Sequence, residues 1–137
     1  MSLQSPAVAR IISDFYFTST ARMNQRIEQE NRMSLRTKQS RFVHAIGHLI
    51  STAESMGYQL TLGDGYRDPR AKFPYSSKSS RHTMRLAIDF NVFKMRNSNW
   101  VYLTSSDDYP DLCQAWRDLG GISGADFDDA NHFEWPL

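Results

Sequence analysis

SSRHTMRLAIDF, residues 79–90, joins a polar opening to an apolar run that is typical of a β-strand. His82 and Asp89 lie seven residues apart in this stretch. In a helix that separation puts the two Cα atoms about 10.5 Å apart, and in a straight strand roughly 23 Å apart, whereas each ligand of one zinc ion lies about 2 Å from it. The two side chains can therefore share a metal only if residues 83–85 form a turn. Alternation along the strand then places Asp89 on the face opposite its bulky apolar neighbours.

A second polar stretch, DDANHFEW near the C-terminus, supplies further candidates for the same site. Alternation puts His132 and Glu134 on one face and the aromatic residues on the other. Asp129 precedes His132 by three residues, so it can lie beside the same ion without being a ligand. Two imidazoles and one carboxylate, from His82, His132 and Asp89, would leave a zinc ion one open position, as hydrolytic zinc requires. Spacing alone leaves open whether these residues meet or are unconnected polar positions.

His44 and His48 stand four residues apart in HAIGH, which is the spacing of the HExxH zinc-protease motif. The catalytic glutamate of that motif would fall at Ala45, so the pair has no base to activate water. We interpret the two histidines as helix residues without a metal role.

Length and composition fit one compact domain. The chain has 137 residues, of which 40% are hydrophobic and 23% charged, an ordinary globular balance. A net charge of +1 argues against a dedicated nucleic-acid binder, although the basic stretches at 22–41 and 67–85 keep that function as a weaker alternative. No apolar run approaches the roughly 20 residues that span a bilayer, so we expect no stable membrane association. The N-terminus lacks the pattern of a secretory signal, and we expect synthesis in a cytoplasm.

The hydrophobic patterns predict an α+β domain in which helices pack against a small antiparallel sheet that carries the metal site. We place this domain at residues 33–137 and treat residues 1–32 as an extension of unknown role. Asp108 is the candidate cap of the second helix. The predicted elements are a helix that ends at Gly57, strands at 58–62, 86–93 and 100–103, a helix at 108–119 and a final strand in NHFEWPL.

SRHTMRLAIDF and DDANHFEW, with GYR upstream at 65–67, resemble the signature of a family of zinc peptidases with a hedgehog-type fold. That family groups D-Ala-D-Ala carboxypeptidases and dipeptidases with phage endolysins that cut L-alanyl-D-glutamate bonds in peptidoglycan. Its pattern is S-x-H, six intervening residues, D, and later an acid three residues before H-x-E. The positions that fill this pattern, in order, are Ser80, His82, Asp89, Asp129, His132 and Glu134.

The resemblance implies a role for each of the main site residues. His82, Asp89 and His132 would bind Zn²⁺, Asp129 would be the general base, and Arg67 would stabilise the developing oxyanion. The expected substrate is the stem peptide of peptidoglycan. Aspartate at position 129, where many relatives have glutamate, favours the endolysin branch. We therefore expect a monomeric L-alanyl-D-glutamate endopeptidase that is made in a host cytoplasm without a signal peptide and acts on the bacterial cell wall.

Three residues are predicted to support the site or its substrate. Ser80 would be a turn hydroxyl rather than a nucleophile, and Glu134 would orient a ligand imidazole or form a structural salt bridge. Arg85 stands where the family has glycine, so either the turn differs or Arg85 has an added role such as gripping a substrate carboxylate. Further candidates for binding substrate carboxylates are the basic residues of the preceding loop, Arg70, Lys72, Lys78 and Arg81.

Two other functions fit the same residues. The first is a D-alanyl-D-alanine carboxypeptidase or dipeptidase, which differs only in the bond that is cut. The second is a non-catalytic, zinc-stabilised binding module, as the related hedgehog signalling domain shows to be possible. The presence of both Asp129 and Arg67 argues against the binding module, because a binder needs neither.

Overall fold

The computed structural model describes residues 18–29, 32–71 and 80–137. The chain divides into two compact units, Met1–Ser34 and Leu35–Leu137. In the first unit, residues 18–29 are helical and their side chains are mostly exposed. Within the described residues, no helix is long and apolar enough to cross a membrane. All of the predicted site residues lie in the second unit.

The second unit is an α+β domain with a small antiparallel sheet, which confirms the predicted fold class. The short strand β4 and the 3-10 helices of the described residues were not predicted, because segments of two to four residues have no periodicity to recognise. The helices and strands are α1 (Leu35–Ser55), β1 (Tyr58–Leu62), β2 (Ala87–Arg96), β3 (Asn99–Leu103), α2 (Pro110–Asp118), β4 (Ile122–Ser123) and β5 (His132–Glu134), with 3-10 helices at Arg81–Met84, Ser106–Asp108 and Gly124–Phe127.

Strand β2 is the centre of the sheet and pairs antiparallel with β1, β3 and β5. β4 extends the sheet beyond β5, so the path runs β1-β2-β5-β4, with β3 also on β2. The hairpin between β2 and β3 turns at Asn97 and Ser98, which both have positive φ angles of 49° and 64°. That geometry is the type I′ turn that suits the twist of a two-residue hairpin.

One face of the sheet is covered by α1 and α2. Phe42 and Leu49 of α1, Trp116 of α2 and Phe133 of β5 are all less than 5% exposed and belong to one core cluster. Trp116 contacts Phe42 and Phe133 edge to face, with centroids 6.1 and 6.0 Å apart. Ile50 is 46% exposed because it lies one residue, and about 100° around the helix, beyond the buried Leu49.

The prediction that Asp108 caps the second helix is wrong. Tyr109 is the N-cap residue of α2 and makes no side-chain capping bond, and Asp108 instead ends the 3-10 helix before it. Pro110 at the first helical position has no N–H that needs a partner, which reduces the need for a cap. The Tyr109 side chain is fully buried, and its hydroxyl donates to the Ala130 carbonyl at 2.6 Å.

Candidate metal centre

Strand pairing brings two of the predicted ligands together. Asp89 of β2 is directly opposite His132 of β5 in the antiparallel register, and side chains at opposite positions share one face of the sheet. Asp89 Oδ1 lies 3.1 Å from His132 Nδ1. Phe133 points the other way into the core, as the alternation in the sequence predicted.

A tight turn adds His82 to this pair. Ser80 is the N-cap residue of the 3-10 helix Arg81–Met84, and its Oγ accepts a hydrogen bond from the His82 N–H at 3.3 Å. This helix ends at Arg85, which adopts the left-handed conformation with φ 57°. Arg85 therefore takes the backbone conformation that glycine favours, so the turn itself is retained. The turn required between His82 and Asp89 is confirmed, and His82 is 3% exposed.

The three side chains form a nearly equilateral triangle of candidate ligand atoms. His82 Nε2 lies 3.2 Å from Asp89 Oδ1 and 3.1 Å from His132 Nδ1, and the third edge is also 3.1 Å. Two zinc bonds of about 2.0–2.1 Å at a tetrahedral angle would hold their ligand atoms about 3.3–3.4 Å apart. Two imidazoles and a carboxylate are a common zinc ligand set that leaves a fourth position open. The triangle therefore fits a zinc ion in size and in chemistry.

Both imidazoles are oriented by a hydrogen bond on the side away from the triangle. The Gly65 carbonyl, which can only accept, lies 2.7 Å from His82 Nδ1, so this nitrogen carries the proton and Nε2 is left to bind a metal. His132 Nε2 lies 2.8 Å from Glu134 Oε2, which leaves Nδ1 facing the triangle. Such partners fix the tautomer and raise the basicity of a ligating imidazole. Glu134 is thus placed to orient His132, as the sequence suggested, and Gly65 does the same for His82.

The charges of the triangle reinforce one another. Burial of the Asp89 carboxyl opposes its ionisation, but its contacts with the His132 and His82 imidazoles outweigh this and lower its pKa to about 2. Burial likewise works against a charged His132, yet its hydrogen bonds with Asp89 and Glu134 raise the pKa of the imidazole. A site that stabilises positive charge between these groups is suited to a cation.

Asp129 stands beside the triangle without forming part of it. Its Oδ2 is 3.7 Å from His132 Nδ1, and 54% of the side chain is exposed. The turn that carries it is packed against Gly124, whose carbonyl accepts from the Asp129 N–H at 2.9 Å. A Cβ on Gly124 would lie 1.9 Å from the Asp129 carbonyl oxygen and 2.8 Å from His132 Cβ. The sequence analysis did not identify Gly124, because the sequence does not show which distant backbone atoms will pack against a glycine.

Arg67 approaches the site from the segment that follows β1. Its N–H donates to the His82 carbonyl at 3.2 Å, and its Nη2 lies 3.0 Å from Asp64 Oδ2, with 11% of the arginine side chain exposed. The same segment is joined to Asp89 by two backbone hydrogen bonds of 2.8 Å, from Gly63 N–H and to the Asp64 carbonyl. Asp64 is a further site residue that sequence reasoning missed, because an acid in a loop has no distinguishing spacing.

The triangle opens into a cleft of about 590 Å³. Phe127 forms part of its wall; the ring is 49% exposed and lies 5.5 Å from the His132 ring. Sequence reasoning did not identify Phe127. The residues that line the cleft besides the triangle are Asp64, Arg67, Ser80, Arg81, Phe127, Asp129 and Glu134.

Several predicted candidates lie away from the cleft. Arg85 is exposed and its guanidinium lies 4.1 Å from the centre of the Tyr66 ring; it is not among the residues that line the cleft. Arg70 pairs with Asp68 at 2.6 Å on an exposed loop. His44 and His48 are exposed on α1, consistent with our interpretation that they have no metal role.

Of the two loop cations that the structure describes, Arg70 and Arg81, Arg81 alone lines the cleft. Lys72 and Lys78 lie outside the described residues. Arg81 lines the cleft, and its Nε is buried without a hydrogen-bond partner in the part of the chain that the structure describes.

One comparison with known proteins bears on this site. Residues 75–135 match the sequence model of a family described as D-alanyl-D-alanine carboxypeptidase. The matched segment includes all three residues of the triangle together with Asp129 and Glu134, and the match confirms the family resemblance. No curated protein matches the chain.

Proposed function

We propose that this chain, whose residues 75–135 match the model of a family described as D-alanyl-D-alanine carboxypeptidase, is a zinc-dependent peptidase that hydrolyses an amide bond in the stem peptide of peptidoglycan. One observation carries the proposal. The nitrogen and oxygen atoms of His82, Asp89 and His132 form a triangle with edges of 3.1–3.2 Å. The carboxylate of Asp129 remains outside this triangle but within the same cleft. Ligands and a separate base are the two parts that metal-assisted hydrolysis needs.

A bound zinc ion supplies Lewis acidity, which polarises a carbonyl group and acidifies water. Asp129 is the general base: its exposed carboxylate accepts a proton from the attacking water. The water oxygen bonds to the carbonyl carbon, the C–N bond breaks, and Asp129 returns the proton to the leaving amine. Arg67, held by Asp64 at the cleft wall, stabilises the negative charge that develops on the carbonyl oxygen.

Arg81 is the proposed anchor for a carboxylate of the substrate. Arg81 lines the cleft, and a hydrogen bond from arginine to carboxylate is among the stronger kinds. Both candidate bonds of the stem peptide precede a D-amino acid that can carry a free α-carboxylate, either the terminal D-alanine or the D-glutamate. Arg81 therefore supports a stem-peptide substrate without selecting between the two bonds.

We favour the L-alanyl-D-glutamate bond, as in an endolysin, because position 129 is aspartate. The reaction would take place in the bacterial cell wall. Cleavage of the terminal D-alanine is the second candidate, and the description of the matched family favours it. The binding-module alternative is weakened further because Arg67 and Asp129 both line the cleft, which a purely structural zinc site does not require.

Digestion of purified peptidoglycan tests the proposal. The zinc-loaded protein should release fragments whose new amino termini are on glutamate, and chelation should stop the release. Free D-alanine without those termini would move the assignment to a carboxypeptidase. If metal analysis shows one bound zinc and no bond is cut in walls or stem peptides, the chain is not a peptidase of this kind.

A further inference from the structure

The sheet face that carries Asp89 continues beyond the metal centre. Side chains alternate along β2, so Asn91, Phe93 and Met95 project on the same side as Asp89, which is opposite the face covered by the helices. Neighbouring strands add residues in register: Thr61 is paired with Asn91, Tyr102 with Phe93, and Trp100 with Met95. We call these six side chains the outer face: Thr61, Asn91, Phe93, Met95, Trp100 and Tyr102.

The far part of the outer face is aromatic and exposed. Trp100, Tyr102 and Met95 are 43%, 47% and 46% exposed. The Phe93 and Tyr102 rings are in contact, with centroids 5.3 Å apart and planes tilted by 39°. None of the six side chains is charged. A contiguous, uncharged aromatic surface is a recurrent mark of a binding site.

The part of the outer face nearest the metal centre is polar but neutral. Asn91 Nδ2 donates to Thr61 Oγ1 at 3.2 Å, and the Tyr102 hydroxyl lies 3.5 Å from Asn91 Oδ1. Along the strand, Asn91 lies about 7 Å and Phe93 about 13 Å from Asp89. Amide and hydroxyl groups thus lie between the cleft and the aromatic rings, on one continuous surface.

We propose that the outer face binds the sugar chain of peptidoglycan while the cleft binds the attached stem peptide. Pyranose rings have apolar C–H faces that pack on aromatic rings, and their hydroxyl and acetamido groups hydrogen-bond to neutral polar side chains such as Asn91 and Thr61. The absence of charge on the outer face suits a neutral sugar better than an anionic lipid headgroup. This inference rests on the proposed function, because a stem peptide bound in the cleft would hold its attached sugar close to the outer face.

The distance along β2 relates the outer face to the bond that is cut. In peptidoglycan only L-alanine and a lactyl group separate the sugar from the L-alanyl-D-glutamate bond, a length of about 7 Å for two extended units. Three further residues intervene before the D-alanyl-D-alanine bond, which adds up to about 10 Å when they are extended. The aromatic rings begin about 13 Å from Asp89, between these two extended lengths, so the outer face accommodates a sugar chain without selecting between the two bonds.

The test compares a double variant, Trp100→Ala with Tyr102→Ala, with the matched control Val101→Ala in the full chain. Val101 is 37% exposed on the same strand but on its opposite face. The probe is a soluble tetramer of β-1,4-linked N-acetylglucosamine, titrated calorimetrically into chelated protein so that no hydrolysis is involved. Hydrolysis of intact walls and of a sugar-free stem peptide is measured separately.

We expect the double variant to lose at least about tenfold in affinity for the tetramer and in activity on walls, with its activity on the sugar-free peptide unchanged. The control should match the wild type in all three assays. No binding of the tetramer by the wild type, or equal binding by the double variant, overturns the inference. The inference is also overturned if the double variant keeps sugar binding but loses dimer formation or binding to phosphatidylglycerol vesicles, because the outer face would then serve one of those contacts. If sugar binding behaves as expected but no peptide is cut, the proposed function fails and the sugar site stands.

Discussion

Glu134 Oε2 lies 2.8 Å from His132 Nε2, on the side of the imidazole away from the candidate metal site, and the side chains are 17% and 7% exposed. The carboxylate can only accept, so it assigns the ring proton to Nε2 and leaves Nδ1 for a metal. Because the two residues are adjacent on one face of β5, the strand itself sets this contact.

Removal of the Glu134 carboxylate should weaken zinc binding without removing a ligand. We expect Glu134→Ala to lower zinc affinity about 10- to 100-fold. Glu134→Gln should lose less, because its amide oxygen can still accept from His132. Competition titration with a chromophoric chelator measures both. Equal zinc affinity in the wild type and Glu134→Ala would show that the contact is a structural salt bridge only.

Asp129 should be required for hydrolysis and not for zinc. Asp129→Asn keeps the shape of the side chain but removes the base, so we expect activity to fall about 100-fold or more, with one zinc still bound. Asp128→Asn is the matched control: the neighbouring residue is exposed and has φ 60°, a conformation that asparagine tolerates. Wall-lytic rate and metal content are measured together. Full activity in Asp129→Asn would assign the base elsewhere.

Gly124 should be intolerant of any side chain. In Gly124→Ala the new Cβ would collide with the Asp129 carbonyl at 1.9 Å, so the turn that positions Asp129 and His132 must shift. We expect a loss of about 1–3 kcal/mol of unfolding free energy and weaker zinc binding. The control is Gly47→Ala, where a Cβ meets nothing within 4 Å; in the middle of α1 it should stabilise by about 0.5–1 kcal/mol. Denaturant unfolding measures the free energy of unfolding of both variants. An unchanged value for Gly124→Ala would contradict the packing argument.

Arg85 should be replaceable by glycine. Its left-handed conformation costs a non-glycine residue about 1–2 kcal/mol, and its contact with Tyr66 returns about 0.5–1 kcal/mol. Arg85→Gly should therefore change stability by less than about 1 kcal/mol and leave activity intact. Arg85→Val, which loses the contact and adds β-branched strain, should cost about 1–3 kcal/mol. A large rise in KM for Arg85→Gly would instead favour a substrate-binding arginine.

Zinc should stabilise the domain through the buried triangle alone. At a free zinc concentration 100 times Kd, binding adds about 2.7 kcal/mol, which corresponds to a Tm shift on the order of 10 °C for a domain of this size. Chelation should reverse the shift, and His132→Ala should abolish it. The double variant His44→Ala with His48→Ala should behave like the wild type. Loss of the zinc-dependent shift in that variant would contradict the assignment of the ligands.

The alternation in LAIDF and NHFEW was sufficient to determine which residues face the core and which face the site. It was sufficient because the period of two is a local property of an extended chain. The turn between His82 and Asp89 could also be predicted, because neither a helix nor a straight strand brings side chains seven residues apart to one metal ion. The left-handed conformation of Arg85 could not, because a positive φ is unusual for arginine and is imposed by the hydrogen bonds that close the turn.

Taken by itself, the sequence predicted the fold class, the residue types of the candidate metal site and the position of Asp129 apart from the candidate ligands. Only the tertiary structure decided that Asp89 and His132 are opposite each other, because strand register depends on residues 43 positions apart. The tertiary structure also showed that Gly65 and Glu134 are the hydrogen-bond partners of the His82 and His132 imidazoles. It placed Gly124 against the turn that carries Asp129. Arg81 lines the cleft, and Arg85 lies outside it. Contacts of this kind follow from how distant segments pack, which no local pattern encodes.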